Sequence, residues 1–264
     1  MDIGTTKMIA RKDGNIGWMI FNQPEKHNAV SYEMWLAVPK IMAAFEADPE
    51  VRVIVLAGAG ERAFVSGADI SEFESKRGAA EAVKAYDEAG EAANVALTGA
   101  SKPTIAMIRG ICIGGGLGIA LTTDLRICSD NSVFAVPAAR LGLGYRYPGI
   151  KRLVDVVGPA FAKEIFFTAG KFTAEDARIM GLINRVVPAA ELETRVRALA
   201  SAIGDNAPLT IKAAKMAINA AVADPDRRQI DAVNAAVKAC FASSDYIEGR
   251  RAFMEKRKPV FKGQ

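Results

Sequence analysis

The stretch GICIGGGLGIALTTD, residues 110–124, sets three consecutive glycines between an apolar run and the start of a helical pattern, with a fourth, Gly118, two residues on. TIAMI at 104–108 feeds it, so the whole reads as strand, glycine loop, buried helix. Glycine there admits positive φ and lets a ligand approach the backbone without meeting a Cβ. Exposed N–H groups at the start of a helix attract negative charge. Two phosphate-binding readings fail on spacing. The G-x-G-x-x-G fingerprint is not met, and no strand ending in an acid follows about 20 residues on. No Gly-Lys-Ser/Thr closes the run, as a Walker loop requires. Tight helix packing remains the structural alternative. A second glycine-bearing segment, GAGERAFVSGADISEF at 58–73, ends a buried strand in a loop and opens a helical turn at SGAD.

Around these segments, 264 residues with 50% hydrophobic and 24% charged content describe one globular domain, or a domain plus an appendage, with ample length for a core. The three cysteines, Cys112, Cys128 and Cys240, are odd in number and widely spaced. They argue against a disulfide framework, fit a reducing compartment and read as core thiols. One histidine and scattered cysteines offer no metal-ligand spacing. MDIGTTKMIARKDG at the N-terminus lacks an apolar core, and no run approaches the roughly 18 apolar residues of a membrane span, so a cytoplasmic protein with no membrane partner is expected. Net charge is +4, and EKRKPVFKGQ at 255–264 gathers four Lys or Arg residues around Glu255 and Pro259. That cluster is a solvated face or a polyphosphate site; without interleaved aromatics it does not support a nucleic-acid partner.

Before residue 190, strand-type runs at 16–21, 51–58, 104–108, 124–129 and 133–137 alternate with helical YEMWLAVPKIMAAFEA and AAEAVKAYDEAGEAANVALTGA. This is an α/β pattern with parallel, buried strands. Beyond it the chain reads as helices at 190–206, 208–223, 226–243 and 245–257, punctuated by NAP, ADPD and SSD. Residues 1–190 are therefore read as a core unit and 191–264 as a helical unit. No Gly/Ser linker separates them, so the helices pack across the core or against another subunit.

FNQPEKHNAV at 21–30, the two glycine segments, FAVPAARLGLG at 134–144, FTAGKFTAEDARIMGLINRVV at 167–187 and FMEKRKPVF at 253–261 together resemble the crotonase (enoyl-CoA hydratase/isomerase) superfamily over nearly the full length. The resemblance implies a ββα spiral, a C-terminal helical trimerisation region, a homotrimer or hexamer, and an acyl-CoA thioester substrate, with coenzyme A as part of that substrate and no separate cofactor. It implies an oxyanion hole made by the N–H groups of Ala68 and Gly115, which bind the thioester oxygen more tightly as it becomes an enolate. It places coenzyme A along Lys26, His27 and Ala29, along the loop Ser66, Ala68, Asp69, Ile70 and Ser71, and against Phe253 and Lys256 of this or a neighbouring subunit. Lys256 would meet a phosphate as a point charge. His27, the only histidine, falls in the adenine-contacting loop, away from an acid or base role.

The sequence departs from the pattern where protons should move. Hydratases of the superfamily carry glutamates at the positions of Gly118 and Ala138, because adding water needs a base for the water and an acid for Cα. Neither residue here can transfer a proton. Asp124 matches a helix-end aspartate and reads as structural; Asp69 reads as a cap turned away from the site. Nearby, ARLGLGYRYPGIKRLVDVVG at 139–158 brings Arg140, Tyr145, Arg146 and Tyr147. This region, with KEIFFTA, APLTIKAAK and DYIEGRRAFMEKRKP, is most similar to the methylmalonyl-CoA decarboxylase branch, which has a tyrosine at the position of Tyr145 but a histidine where Ala68 stands. Packing in a Pro148-Gly149 turn is the alternative role for Tyr145. Three functions stay open: a decarboxylating lyase on a malonyl-type thioester with Tyr145 orienting the carboxylate, a hydratase or isomerase without the glutamate pair, and a CoA-thioester binder without turnover.

Overall fold

The computed structural model describes residues 3–69 and 80–264. Aliphatic and β-branched runs become ten strands among these residues: β1 (Met8–Asp13), β2 (Ile16–Phe21), β3 (Val53–Gly58), β4 (Ala63–Val65), β5 (Thr104–Ile108), β6 (Ile111–Ile113), β7 (Leu125–Ser129), β8 (Val133–Ala135), β9 (Phe172–Thr173) and β10 (Arg185–Val187). The helices are α1 (Tyr32–Ala47), α2 (Ala80–Thr98), α3 (Gly115–Ala120), α4 (Tyr147–Thr168), α5 (Ala174–Ile179), α6 (Leu192–Gly204), α7 (Pro208–Val222), α8 (Ile230–Ala242) and α9 (Ser244–Met254).

Two sheets are threaded alternately. The larger runs β1-β2-β3-β5-β7-β10, and the smaller β4-β6-β8-β9. β3, β5 and β7 lie in the first sheet, and the strand after each, β4, β6 and β8, crosses into the second before the chain turns helical. This is a spiral of ββα turns. Pairing is parallel except for the β1–β2 hairpin and the β8–β9 edge.

Period-two alternation explains why the central strands read as unbroken apolar runs. On β3, Ile54 and Leu56 enter the core shared with α1 and α2, while Val53, Val55 and Ala57 face the opposite way onto Leu192, Val196 and Ala200 of α6. Both faces are buried, as expected for a parallel sheet. α6 is thus part of the core wall. α7 is pinned by Lys215, whose Nζ donates to Asp124 Oδ2 at 2.7 Å and to the Lys102 carbonyl at 2.9 Å. Asp124 also accepts from the Thr104 N–H at 2.7 Å, which accounts for it as a structural carboxylate.

Helix starts agree with local chemistry. Ser31 caps α1 by accepting from Met34 N, and Thr173 with Asp176 forms a capping box on α5. The later helix boundaries shift from the sequence reading. α8 begins at Ile230, because Pro225–Arg227 is a 3-10 turn, and α9 spans 244–254. Cys112 and Cys128 are buried, and desolvation pushes the Cys128 thiol up to about 12. Cys240 is only half-buried, so it is not a core thiol. Among the described residues no helix is long and apolar enough to cross a membrane.

Candidate active site

The segment after β2 turns on two consecutive left-handed residues, His27 (φ 54°) and Asn28 (φ 56°). Asn28 is held there by its buried amide. Its Oδ1 accepts from Gln23 N at 3.0 Å, and its Nδ2 donates to the carbonyls of Ala59 at 3.0 Å and Ala63 at 2.8 Å. Nothing in the sequence reading singled out Asn28; left-handed asparagine beside an X-Pro turn is the signal that could have found it.

This turn zips onto the loop after β4. Ser66 N donates to the His27 carbonyl at 3.1 Å, Val30 N to the Gly67 carbonyl at 2.8 Å, and Asp69 N to the Val30 carbonyl at 3.0 Å. Val30 and Ala68 form a parallel bridge. Successive peptide groups of an extended segment point to opposite sides. With the Gly67 carbonyl and the Asp69 N–H spent on Val30, the Ala68 N–H points the other way. It has no acceptor among the described residues.

What lies on that other side is the glycine turn of 114–116. Gly114 takes φ 56°, ψ −117°, a conformation reserved for glycine, and donates its N–H to the Ala135 carbonyl at 2.8 Å. Gly116 answers to space: a Cβ there would stand 2.0 Å from the Val65 carbonyl oxygen, so helix α3 rests backbone to backbone on the end of β4. Gly115 begins α3, and its N–H has no acceptor among the described residues. A Cβ on Gly115 would lie 3.7 Å from Ala68 N. Two unpaired backbone N–H groups on facing loops are the arrangement that receives a developing oxyanion.

Of the other candidate residues, Lys26, His27, Ala29, Ser66 and Asp69 are brought together on the zipped loops. Asp69 is buried and turns back from the glycine loop, accepting from Lys26 Nζ at 2.8 Å and Gln23 Nε2 at 3.2 Å. Ser66 Oγ donates to the Lys26 carbonyl at 3.4 Å. His27 Nδ1 is buried without a partner among the described residues. Ile70 and Ser71 lie outside the described residues. Phe253 and Lys256 are elsewhere in this chain. Phe253 is 82% exposed and lines a groove with Thr210, Ala217 and Phe241, and Lys256 is exposed. The rest of the basic cluster is largely spent on internal pairs, Arg257 with Glu248 and Glu255, and Lys258 with Asp205.

Among the described residues, Tyr145 brings an ionisable side chain to the glycine turn. Its hydroxyl lies 3.9 Å from the position of a Cβ on Gly114, and its ring packs edge-on against Phe166 at 5.0 Å. From 139 to 148 every residue is exposed except Tyr145, which is half-buried, and burial raises its phenol above the usual range. Its neighbours face outward: Arg146 pairs with Asp87 at 2.7 Å, and Arg140 and Tyr147 are exposed. At the two glutamate positions the outcomes differ. Ala138 is buried in the 3-10 turn Pro137–Arg140, whereas a Cβ on Gly118 would meet no heavy atom of the described residues within 4 Å.

Comparison with known proteins agrees with this geometry. The family model described as enoyl-CoA hydratase/isomerase matches residues 11–264. The chain is 34% identical over 251 residues to the short-chain-enoyl-CoA hydratase of Clostridium acetobutylicum, covering 95% of each chain. It is 32% identical over 254 residues to the crotonyl-CoA hydratase of Syntrophomonas wolfei, covering 96% of this chain and 97% of that protein. Among solved structures, an enoyl-CoA hydratase/carnithine racemase from Magnetospirillum magneticum superposes with a TM-score of 0.90 at 34% identity, covering 99% of this chain and 97% of that one. A full-length family match, a shared ββα spiral and two facing N–H groups at its glycine turn converge: this chain belongs to the enoyl-CoA hydratase/isomerase family.

Proposed function

We propose that the protein is an acyl-CoA enzyme of the hydratase/isomerase kind that works without a glutamate pair. The observation that carries the reading is the pair of N–H groups, Ala68 and Gly115, on facing loops, neither with an acceptor among the described residues. A thioester oxygen held between them is bound more tightly as it gains enolate charge, and each such donor contributes about 3–4 kcal/mol in other oxyanion holes. Coenzyme A lies along Lys26, His27, Ala29 and the loop from Ser66, and enters as part of the substrate. In a homotrimer or hexamer, the exposed Phe253 and Lys256 of one copy reach the coenzyme of another. Tyr145 is neutral at pH 7, so it serves as an acid toward Cα. Water or a group on the substrate takes the role of base. The hydratase names of the relatives support this reading over the others.

A second reading rests on one observation: Gly118 and Ala138 carry no ionisable group, and Tyr145 is a neutral acid, so these three positions offer an acid and no base. Decarboxylation of a malonyl-type thioester needs no base. The C–C bond electrons pass into the enolate as CO2 leaves, and Tyr145 or water then protonates Cα.

A parallel mass-spectrometric turnover screen on crotonyl-, malonyl-, methylmalonyl- and ethylmalonyl-CoA separates the two. Hydration of crotonyl-CoA at about 10 per second or more establishes the first; loss of CO2 with crotonyl-CoA untouched establishes the second. Thioester binding without turnover of any of the four makes the chain a binder for this set. Both catalytic readings and the binder fall if CoA thioesters fail to raise the melting temperature, since a ligand at about 100 times its Kd stabilises by roughly 2.7 kcal/mol.

A further inference from the structure

On helix α3, Gly116, Leu117, Ile119 and Ala120 are buried, while Gly115 and Gly118 remain partly open. Residues three and four apart share a face of a helix, so Gly118 stands one turn beyond the Gly114–Gly115 corner and looks out on the same side. That side is where the Tyr145 hydroxyl lies, 3.9 Å from a Cβ on Gly114. The space in front of Gly118 is unclaimed by the described residues within 4 Å. Glycine at this position is not explained by the backbone or by packing among the described residues: its φ is not in the left-handed region, unlike that of Gly114, and no described residue crowds it, unlike Gly116. Glycine inside a helix is also a poorer choice for stability than alanine. A residue that is locally unfavourable, sterically unnecessary and set beside the oxyanion corner calls for a reason in the ligand.

We infer that Gly118 is the specificity-determining residue of the acyl site, and that the space left by its missing side chain takes an apolar branch on the second or third carbon of the acyl group. This rests on the reading that the thioester oxygen sits between Ala68 and Gly115. The reach fits. Gly118 is displaced about 4.5 Å along the helix axis from Gly115, and a methyl branch on the second or third acyl carbon lies roughly 3–5 Å from the carbonyl oxygen. The residue chemistry fits as well, since no carboxylate stands at 118 or 138 and Tyr145, the neighbour of the adjoining Gly114, packs its ring edge-on against Phe166.

The test measures binding, so that it does not depend on which reaction is run. Dissociation constants of acetyl-, butyryl-, isobutyryl- and isovaleryl-CoA are measured by calorimetry on the unaltered protein, on Gly118→Ala and on Gly118→Val. The preference for the branched over the linear four-carbon chain should fall about tenfold or more in Gly118→Val, the scale of one methyl group in an apolar pocket, and by less in Gly118→Ala. Gly118→Ala adds only a Cβ into open space and keeps the series interpretable if the valine variant folds poorly. A preference that stays constant across the three proteins overturns the role of Gly118 while leaving the thioester reading intact. Failure of all four thioesters to bind the unaltered protein overturns both.

Discussion

The two halves of the site are built in opposite ways. On one half, the loops at 23–30 and 66–69 and the glycine turn at 114–116 are tied by backbone hydrogen bonds, a buried Asn28 amide and a glycine on which no Cβ fits. On the other, positions 118, 138 and 145 carry no carboxylate, one open space and one half-buried phenol. On the proposed reading the first half polarises a carbonyl oxygen, with peptide groups that any sequence preserving the turn retains. On the same reading the second decides which bond breaks and where a proton goes, and it rests on side chains that are free to change. Family membership is thus written in the backbone half, and the reaction in the side-chain half.

The backbone half should therefore be the more fragile. Gly116→Val, which drives a Cβ into the Val65 carbonyl at 2.0 Å, should cost about 3 kcal/mol or more by overpacking and abolish thioester binding. Thermal melting and a CoA thioester shift check both. A variant that melts normally and still binds would show that the α3–β4 contact does not fix the oxyanion corner.

Tyr145→Phe strikes the other half and should separate chemistry from stability. Losing a positioned acid lowers turnover about 100-fold or more, with the thioester Kd little changed. The pH dependence carries a sign. Burial raises the folded phenol above its ordinary value, so on going alkaline the unfolded chain ionises first and the folded state binds the extra proton. Its contribution is complete below about pH 10 and is lost as pH climbs from there through the folded pKa. The phenylalanine variant lacks that loss, and melting curves from pH 8 to 11 should converge with or cross those of the unaltered protein. Parallel curves would leave Tyr145 without the environment assigned to it.

Asn28→Ala returns to the backbone half at a smaller scale. It leaves the Gln23 N–H and the carbonyls of Ala59 and Ala63 short of a partner and puts alanine at φ 56°. A loss of about 2 kcal/mol is expected, read as a lower denaturant midpoint together with weaker thioester binding, because the Val30–Ala68 bridge hangs on this turn. A fall in stability with full binding would detach the turn from the oxyanion hole.

This division also accounts for what the sequence disclosed. Helix α1 and strands β2 and β5 lie where periodicity and apolar runs place them, because burial on both faces of the sheet leaves an unbroken signal. The short β4, β6, β9 and β10 span two or three residues each, too few for alternation to register. Ala68 and Gly115 were legible as a motif, but the reason the Ala68 N–H meets no acceptor among the described residues lies in a bridge between Val30 and Ala68, thirty-eight positions apart in the chain. Asn28 was hidden for the same reason, since its partners stand at 59 and 63. Phe253 and Lys256 are the inverse case: the motif is present, yet the chain folds them away from its own glycine turn, among the exposed apolar residues of α7–α9.

The smallest expected effect is the one that joins the two halves. In helix α3, Gly118→Ala adds a methyl group that meets no described atom within 4 Å and replaces the residue with the greater backbone entropy. It should raise stability by about 0.5–1 kcal/mol, a shift of a degree or two in melting temperature for a chain of this size. A higher melting temperature, paired with a weaker preference for branched thioesters, would mean that the helix gives up stability to keep the acyl space open, the usual relation between a binding cavity and its host. A lower melting temperature would instead show that the space is closed by packing contacts, so that the glycine belongs with Gly116 in the rigid half.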